Sequence, residues 1–417
     1  LSKLLDDRVE GTGSWFLDGD VFTAFREGNI GSVLLSGKGE FAALAAAAQV
    51  LLASSVTLTP HPLVLVHLFD ATDGSHARDV RTLLSALLCQ VALKCPQCAP
   101  TVLEARNRSI ENGFATKIDK ERLLMSLLRA VSSRVFIVID ALDEAEQTGV
   151  LPFLGRLKGL STVSLLASRR TAMDVALSFD TIVSIGTNDT DDDIGAALDV
   201  SLSSGGVLES IRDRDGVRQA LLAGAEGNFR WATLIIQELK SIAGMPGKVR
   251  QRLKALPESL EVLYKGCLDA IAPVDRADVR RLLLWLVRAV RPLSLDDFAD
   301  LMSFDYTDDT PVYDASLRPV PASVISMVGL MLVSVNGKTV QLAHASVRDF
   351  ILNLPSDSPF YVRNEEAYVL MARTCIAYLA GAGDVAHSWN VESQLTWSWV
   401  NYIHKAGIEV YNRLEGD

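Results

Sequence analysis

The stretch VFIVIDALDE, residues 135–144, decides how the rest of the chain is read. Its apolar, mostly β-branched residues run without a polar break into Asp140, as a parallel strand covered on both faces requires. An acid at the carboxyl end of such a strand stands at the crevice where open α/β sheets bind their ligands. In a nucleotide site Asp140 would stand beside Mg²⁺, and Asp143 and Glu144 on the following loop are candidate water-positioning carboxylates. Three carboxylates this close repel one another, so Arg169 or Arg170, at the end of the next apolar run LLASRR, is expected to compensate them.

Working outward, short apolar runs recur at Val33–Leu35, 62–70 (PLVLVHLFD), 163–168 (VSLLAS) and 181–186 (TIVSIG). Between them lie leucine-rich helical patterns at 41–53, 78–93, 120–131 and around Leu151–Leu157. Strands alternating with helices predict a doubly wound parallel α/β sheet. Residues 11–31 read as a turn, a helix carrying Phe22 and Phe25, and a glycine-bounded turn into the first strand. After residue 190 the texture becomes helical. From Arg291, PLSLDDFADLM reads as a capped helix, VISMVGLMLVSVNGKTVQLAH as a helix running into a hairpin around Asn336-Gly337, and SVRDFILNL as a further helix. Helix, helix, hairpin, helix predicts a winged helix. The expected division is an entry segment at 1–30, an α/β nucleotide-binding-like domain at 31–190, a small helical domain at 191–272, a winged helix at 273–358 and a helical tail at 359–417.

Composition agrees with a multi-domain globular chain. It has 417 residues, 49% of them hydrophobic and 22% charged. The net charge of −11 disfavours nucleic acid and anionic membranes as general partners, because both would be repelled. Five cysteines in a chain this long build no disulfide framework, which suits a reducing, cytoplasmic or nuclear compartment. Cys95-Pro-Gln-Cys98 lacks the second pair that a zinc site needs and reads as a loop after a helix. The start LSKLLDDRVEG has no basic region leading into an apolar run, so no signal peptide is expected. The alanine-rich run FAALAAAAQVLLA is short of the roughly 20 residues that cross a bilayer and reads as a core helix.

The loop between the first strand and that helix is the demanding place. A phosphate loop, G-x-x-x-x-G-K-[ST], uses glycines so that backbone N–H groups curl round the phosphates, a lysine for the β/γ charge and a hydroxyl for Mg²⁺. Here Gly31 and Gly37 are separated by one residue too many, Lys38 is followed by Gly39, and the helix opens with Glu40, an acid where an anion would sit. Two readings stand: a ligand-free strand-to-helix turn, and a nest at Gly37, Lys38 and Gly39 that holds nucleotide weakly. His344, between a strand and a helix, is either a satisfied core residue or a ligand contact; Trp231 and Trp285 read as core anchors.

Taken together, GTGSWFL (11–17), the loop at 33–39, VFIVIDALDE, LLASRR, GNFRWATLIIQEL, LPESLEVLYKGCLDAI, RPLSLDDFADLM and LAHASVRDFIL stand in the order of the fungal NACHT proteins, of the STAND class of P-loop signalling NTPases. The chain resembles them from residue 10 to about 380. The resemblance implies an α/β P-loop NTPase core, a helical domain and a winged helix that closes over ADP and reopens with ATP to oligomerise. It also implies Asp140 as the Mg²⁺-associated acid, Asp143 and Glu144 as the acids after it, Arg169 as the sensor arginine, Pro292 as the proline near the base and His344 as the histidine that reaches ADP phosphate. Family members usually read S-G-x-P-G-x-G-K-[ST]-x-L-A at the first motif. Aligned through Ser36-Gly37-Lys38 and Leu44-Ala45, this chain lacks about two loop residues and the phosphate-binding groups with them.

The expected function is therefore a NACHT/STAND signalling or scaffold module that assembles with other proteins as a homo- or hetero-oligomer, with lost or impaired ATP binding and no cofactor. The alternatives are a working ATP/ADP switch with Mg²⁺ and an architectural subunit of a larger complex. Trp397, Trp399 and Tyr402 in the tail are candidates for a partner surface, against the simpler use of folding back on the core.

Overall fold

The computed structural model describes residues 11–37, 39–57, 60–69, 78–111, 119–170, 179–203, 205–206, 208–209, 211–289, 292–307, 311–361, 363–381 and 402. Lys38, Trp397 and Trp399 lie outside these residues. The described chain falls into two compact units that divide between Pro257 and Glu258.

The first unit is built on a five-stranded sheet of β1 (Ser32–Ser36), β2 (Leu63–Leu68), β3 (Val135–Asp140), β4 (Val163–Arg169) and β5 (Thr181–Ser184), in the order β2-β3-β4-β1-β5. Every pairing is parallel. The three central strands are buried almost throughout, which is why their sequences carry no alternation. At the edge, β5 alternates half-buried and exposed residues.

Apolar side chains fill both faces. One core gathers Leu65, Ile137, Ile139, Leu165 and the leucines of helix Val80–Lys94. The other packs Val33, Leu35, Val138 and Leu166 against Phe22, Phe25 and the alanines of helix Glu40–Thr57. Those alanines let the helix lie close to the sheet. Asp79 and Asp119 accept from the N–H groups of Thr82 and Arg122 and cap their helices.

The helix Ala99–Glu111 is one that periodicity does not announce. Four further helices, Thr187–Leu202, Arg214–Ala225, Phe229–Ile242 and Pro246–Leu253, complete the unit. Trp231 is 1% exposed, and its indole N–H donates to the Pro257 carbonyl at 2.9 Å. It is the core anchor that its helix predicted.

The second unit contains helices Leu260–Asp269 and Arg276–Arg288, then a short strand Leu293–Ser294 that pairs with the hairpin Val333–Asn336 and Thr339–Leu342. Ser294 and Asp297 form a capping box on helix Leu295–Leu301. Helices Pro321–Val328 and Ala345–Leu352 flank the hairpin, whose turn uses Gly337 at φ 61°. Helix Asn364–Gly381 follows. Tyr402 is fully buried, edge-on to Trp285 at 5.5 Å, so this residue of the tail folds back on the core. Among the described residues no single helix is long and apolar enough to cross a membrane.

Candidate functional site

The carboxyl ends of β3, β4 and β1 lie side by side, and β4 in the middle ties its two neighbours together. Ser168 donates to Asp140 Oδ1 at 2.5 Å and accepts from the Ala141 N–H at 3.0 Å. Ala141 takes the left-handed conformation, φ 54°, which turns the chain sharply after Asp140. One residue on, Arg169 donates from Nε to Ser36 Oγ of β1 at 3.0 Å. The next residue, Arg170, reaches back over β3: Nη2 lies 2.5 Å from Glu144 Oε1 and Nε 3.8 Å from Asp143 Oδ2. The Arg170 N–H also donates to Asp143 at 3.4 Å. Of the two arginines expected to compensate the acids, it is Arg170 that does so. Glu144 is held a second time, because Arg78 Nε donates to its carbonyl at 2.5 Å.

Asp140 is buried, and burial pushes its carboxyl above the ordinary range; the hydrogen bonds from Ser168 and Ala141 and the charge of Arg170 pull the other way. Facing it is a residue whose role the sequence only hints at. Glu40 opens the helix behind the loop and is 5% exposed. Burial first, and the charge of Asp140 second, raise its carboxyl to about 8, so it is largely protonated at pH 7. Glu40 places an acidic side chain in the first turn of the helix, whose amides would otherwise favour an anion.

The glycines of the loop serve close packing. Gly37 has φ 143°, and a Cβ there would come within 2.9 Å of the Ile185 carbonyl. Gly39 has φ 88°, and a Cβ would lie 2.3 Å from Thr190 Cγ2. Thr190 is itself buried, on helix Thr187–Leu202. The Gly37 N–H donates to the Arg169 carbonyl at 3.0 Å, which commits one of the amides that a nest would offer.

The structure thus brings Gly37, Gly39, Asp140, Asp143, Glu144 and Arg169 to one edge of the sheet in the first unit. Pro292 and His344 belong to the second. Pro292 is exposed, directly ahead of the strand Leu293–Ser294. His344 caps helix Ala345–Leu352: its Nδ1 accepts the Ser346 N–H at 3.1 Å, and Ser346 Oγ lies 2.7 Å from Nδ1 and 2.9 Å from the buried Tyr264 hydroxyl. This satisfied local network explains a histidine at that position without a ligand.

Similarity to known proteins follows the two regions just described. Residues 11–170 match the family model of the N-terminal region of nephrocystin 3, and residues 269–363 match that of the winged helix domain of GPI inositol-deacylase. The vegetative incompatibility protein HET-E-1 of Podospora anserina is 29% identical over 184 residues, 43% of this chain and 13% of that protein. The present chain therefore spans a small part of this relative's length.

Among solved structures, a signal transduction ATPase with numerous domains (STAND) protein from Pyrococcus horikoshii, which carries a tetratricopeptide repeat sensor, aligns with 95% of this chain and 49% of its own, at 12% identity and a TM-score of 0.44. The RuvB Holliday junction branch migration motor of Thermotoga maritima aligns with 82% of this chain and 95% of its own, at 12% identity and a TM-score of 0.32. The first unit has a five-stranded parallel sheet with helices on both faces, and residues 269–363 of the second match a winged-helix family. The chain is thus similar over residues 11–170 to the nephrocystin 3 N-terminal family and, over part of its length, to a fungal protein, HET-E-1.

Proposed function

We propose that this chain is a NACHT/STAND signalling module whose conformation and assembly are governed by protein partners, with ATP binding and turnover lost or severely impaired. The observation that carries the reading is Glu40, a buried acid in the first turn of the helix where a triphosphate would lie. The residue after Lys38 is Gly39, which has no hydroxyl for Mg²⁺. Asp140 already shares one oxygen with Ser168, and Arg170 is engaged by Asp143 and Glu144. This donor set fits Mg²⁺-triphosphate poorly, so no catalytic step is assigned to Asp143 or Glu144, no phosphate contact to Lys38, Arg169, Pro292 or His344, and no metal to Asp140. Proteins of this class assemble with other proteins, and a homo- or hetero-oligomeric scaffold is the role left when nucleotide control is removed. Isothermal titration of the purified chain with Mg-ATP and Mg-ADP should show nothing tighter than about 1 mM, roughly −4 kcal/mol. Micromolar binding would reject the proposal.

A second reading is favoured by one observation, the undisturbed strand-end position of Asp140 on β3. In it the chain is a working ATP/ADP switch. Phosphate release from ATP, alone or with cell extract, that Asp140→Asn abolishes would establish that reading over the first.

A further inference from the structure

We propose that Cys95 and Cys98 are a modification site, a dithiol that hydrogen peroxide converts to an intramolecular disulfide. This stands apart from the nucleotide reading and does not depend on it. The two thiols occupy the corner where helix Val80–Lys94 ends and the chain turns by 114° into the next helix. Pro96 opens the intervening turn, Pro96–Cys98, with its φ preset. The Cys98 N–H donates to the Cys95 carbonyl at 2.8 Å and closes it, while the Cys95 N–H donates to the Val91 carbonyl at 2.9 Å and fixes its near end. The result is a pair of sulfurs 2.8 Å apart, within about 1 Å of bonding distance.

Both residues are nearly fully buried, at 5% and 4% exposure, within the core that faces helices Val80–Lys94 and Lys120–Ala130. Burial selects a small neutral oxidant over a bulky disulfide. No group of three or more cysteine, histidine or acidic residues able to hold a metal occurs among the described residues, which separates this pair from a zinc site. Of the remaining thiols, Cys89 is exposed, Cys267 donates a hydrogen bond to the Met331 sulfur, and Cys375 is buried.

The chemistry balances with peroxide as the only co-reactant. One sulfur attacks a peroxide oxygen and breaks the O–O bond; the departing hydroxide takes that thiol's proton and leaves as water, and the sulfur becomes a sulfenic acid. The neighbouring sulfur then attacks the sulfenic sulfur and expels hydroxide, which leaves as water with the second thiol's proton. The pair loses two electrons and peroxide gains them. Burial, and then the hydrogen bond and charge of Cys95, raise the Cys98 thiol to about 11, so the reaction is slow at pH 7 and quickens as pH rises.

The test uses the full chain, reduced, desalted and treated with limiting hydrogen peroxide at pH 7 and at pH 9. It is then denatured in N-ethylmaleimide, digested and mapped by mass spectrometry. The expected result is a peptide spanning Cys95 and Cys98 that has lost both maleimide adducts and weighs two hydrogen atoms less than its reduced form. This should happen faster at pH 9 and reverse with dithiothreitol, while Cys375 remains labelled. In Cys98→Ser the linkage should vanish and a sulfenic acid at Cys95 should be trapped by dimedone. Full labelling of both cysteines under peroxide that oxidises Cys89, or separate conversion of each to sulfinic acid, would overturn the proposal; the wild-type map decides this even if the variant fails to fold.

Discussion

The loop Ser36–Glu40 and the segment Asp140–Glu144 begin at the ends of two strands that flank β4 in one sheet, yet they are held by opposite kinds of force. The acids after β3 are fixed by polar partners that the chain itself supplies: Ser168 for Asp140, Arg170 for Asp143 and Glu144, and Arg78 for the Glu144 carbonyl. The loop after β1 is fixed by close packing, with its glycines against Ile185 and Thr190 and with Glu40 buried beside Asp140. Acids with internal partners persist as structure whatever happens to the ligand. At the loop, by contrast, a buried acid and a threonine methyl stand beside Gly39.

The largest effect should come from removing the cation that the acids share. Arg170→Ala leaves Asp143 and Glu144, whose side chains are 8% and 10% exposed, without it, and uncompensated buried charge costs about 3–5 kcal/mol. Urea unfolding should shift by that amount at pH 7; a change below about 1 kcal/mol would mean that these acids are not held by Arg170.

Next comes Glu40. Its folded value of about 8 exceeds its ordinary 4.5, so its contribution to stability is fully present below pH 4.5 and is lost as pH rises through 8. Glu40→Gln removes the ionisation. The variant should equal wild type near pH 4.5 and exceed it by on the order of 3 kcal/mol at pH 7. His67, which burial lowers to about 4, has the opposite sign: its contribution is present above 6.5 and lost as pH falls toward 4. It is common to both proteins and cancels in the difference. Thermal melts across pH 4.5–8.5 that run parallel for the two proteins would refute the burial of Glu40 as an acid.

A smaller effect tests the packing of the loop. Gly39→Ala meets both a positive φ and Thr190 Cγ2, and should cost about 1–3 kcal/mol. Thr190→Ser, which deletes that methyl, should recover part of the loss in a double-mutant cycle. Strict additivity of the two changes would show that Gly39 and Thr190 do not touch.

The smallest concerns the second unit. His344→Ala should cost about 1 kcal/mol as a lost helix cap, while His344→Asn, which can cap, should cost far less. Equal losses in urea unfolding would mean that His344 matters for something other than the cap.

Much of the fold is legible because local chemistry dictates it. Four buried strands announce themselves as apolar runs, Ser294 and Asp297 spell a capping box, and Asn336-Gly337 spells a hairpin turn. Helix Ala99–Glu111 is not legible, since its only large apolar residues are Val102, Leu103 and Ile110, too few to give it apolar periodicity. The acids of the site are visible as a motif. Their partners are not: nothing in LLASRR tells that Ser168 turns to Asp140, Arg169 to Ser36 and Arg170 to Asp143 and Glu144. That assignment depends on β4 lying between β3 and β1.

By itself, then, the sequence determined the two kinds of layer, the caps and turns, and the departure of residues 31–40 from a phosphate-loop pattern, because each follows from residues close together in the chain. The tertiary structure alone decided the strand order, the arginine that neutralises the acids, the burial of Glu40 and the meeting of Gly39 with Thr190. These rest on contacts between residues far apart in sequence, which become neighbours only when the sheet forms and the helix at 187–202 packs beside the loop.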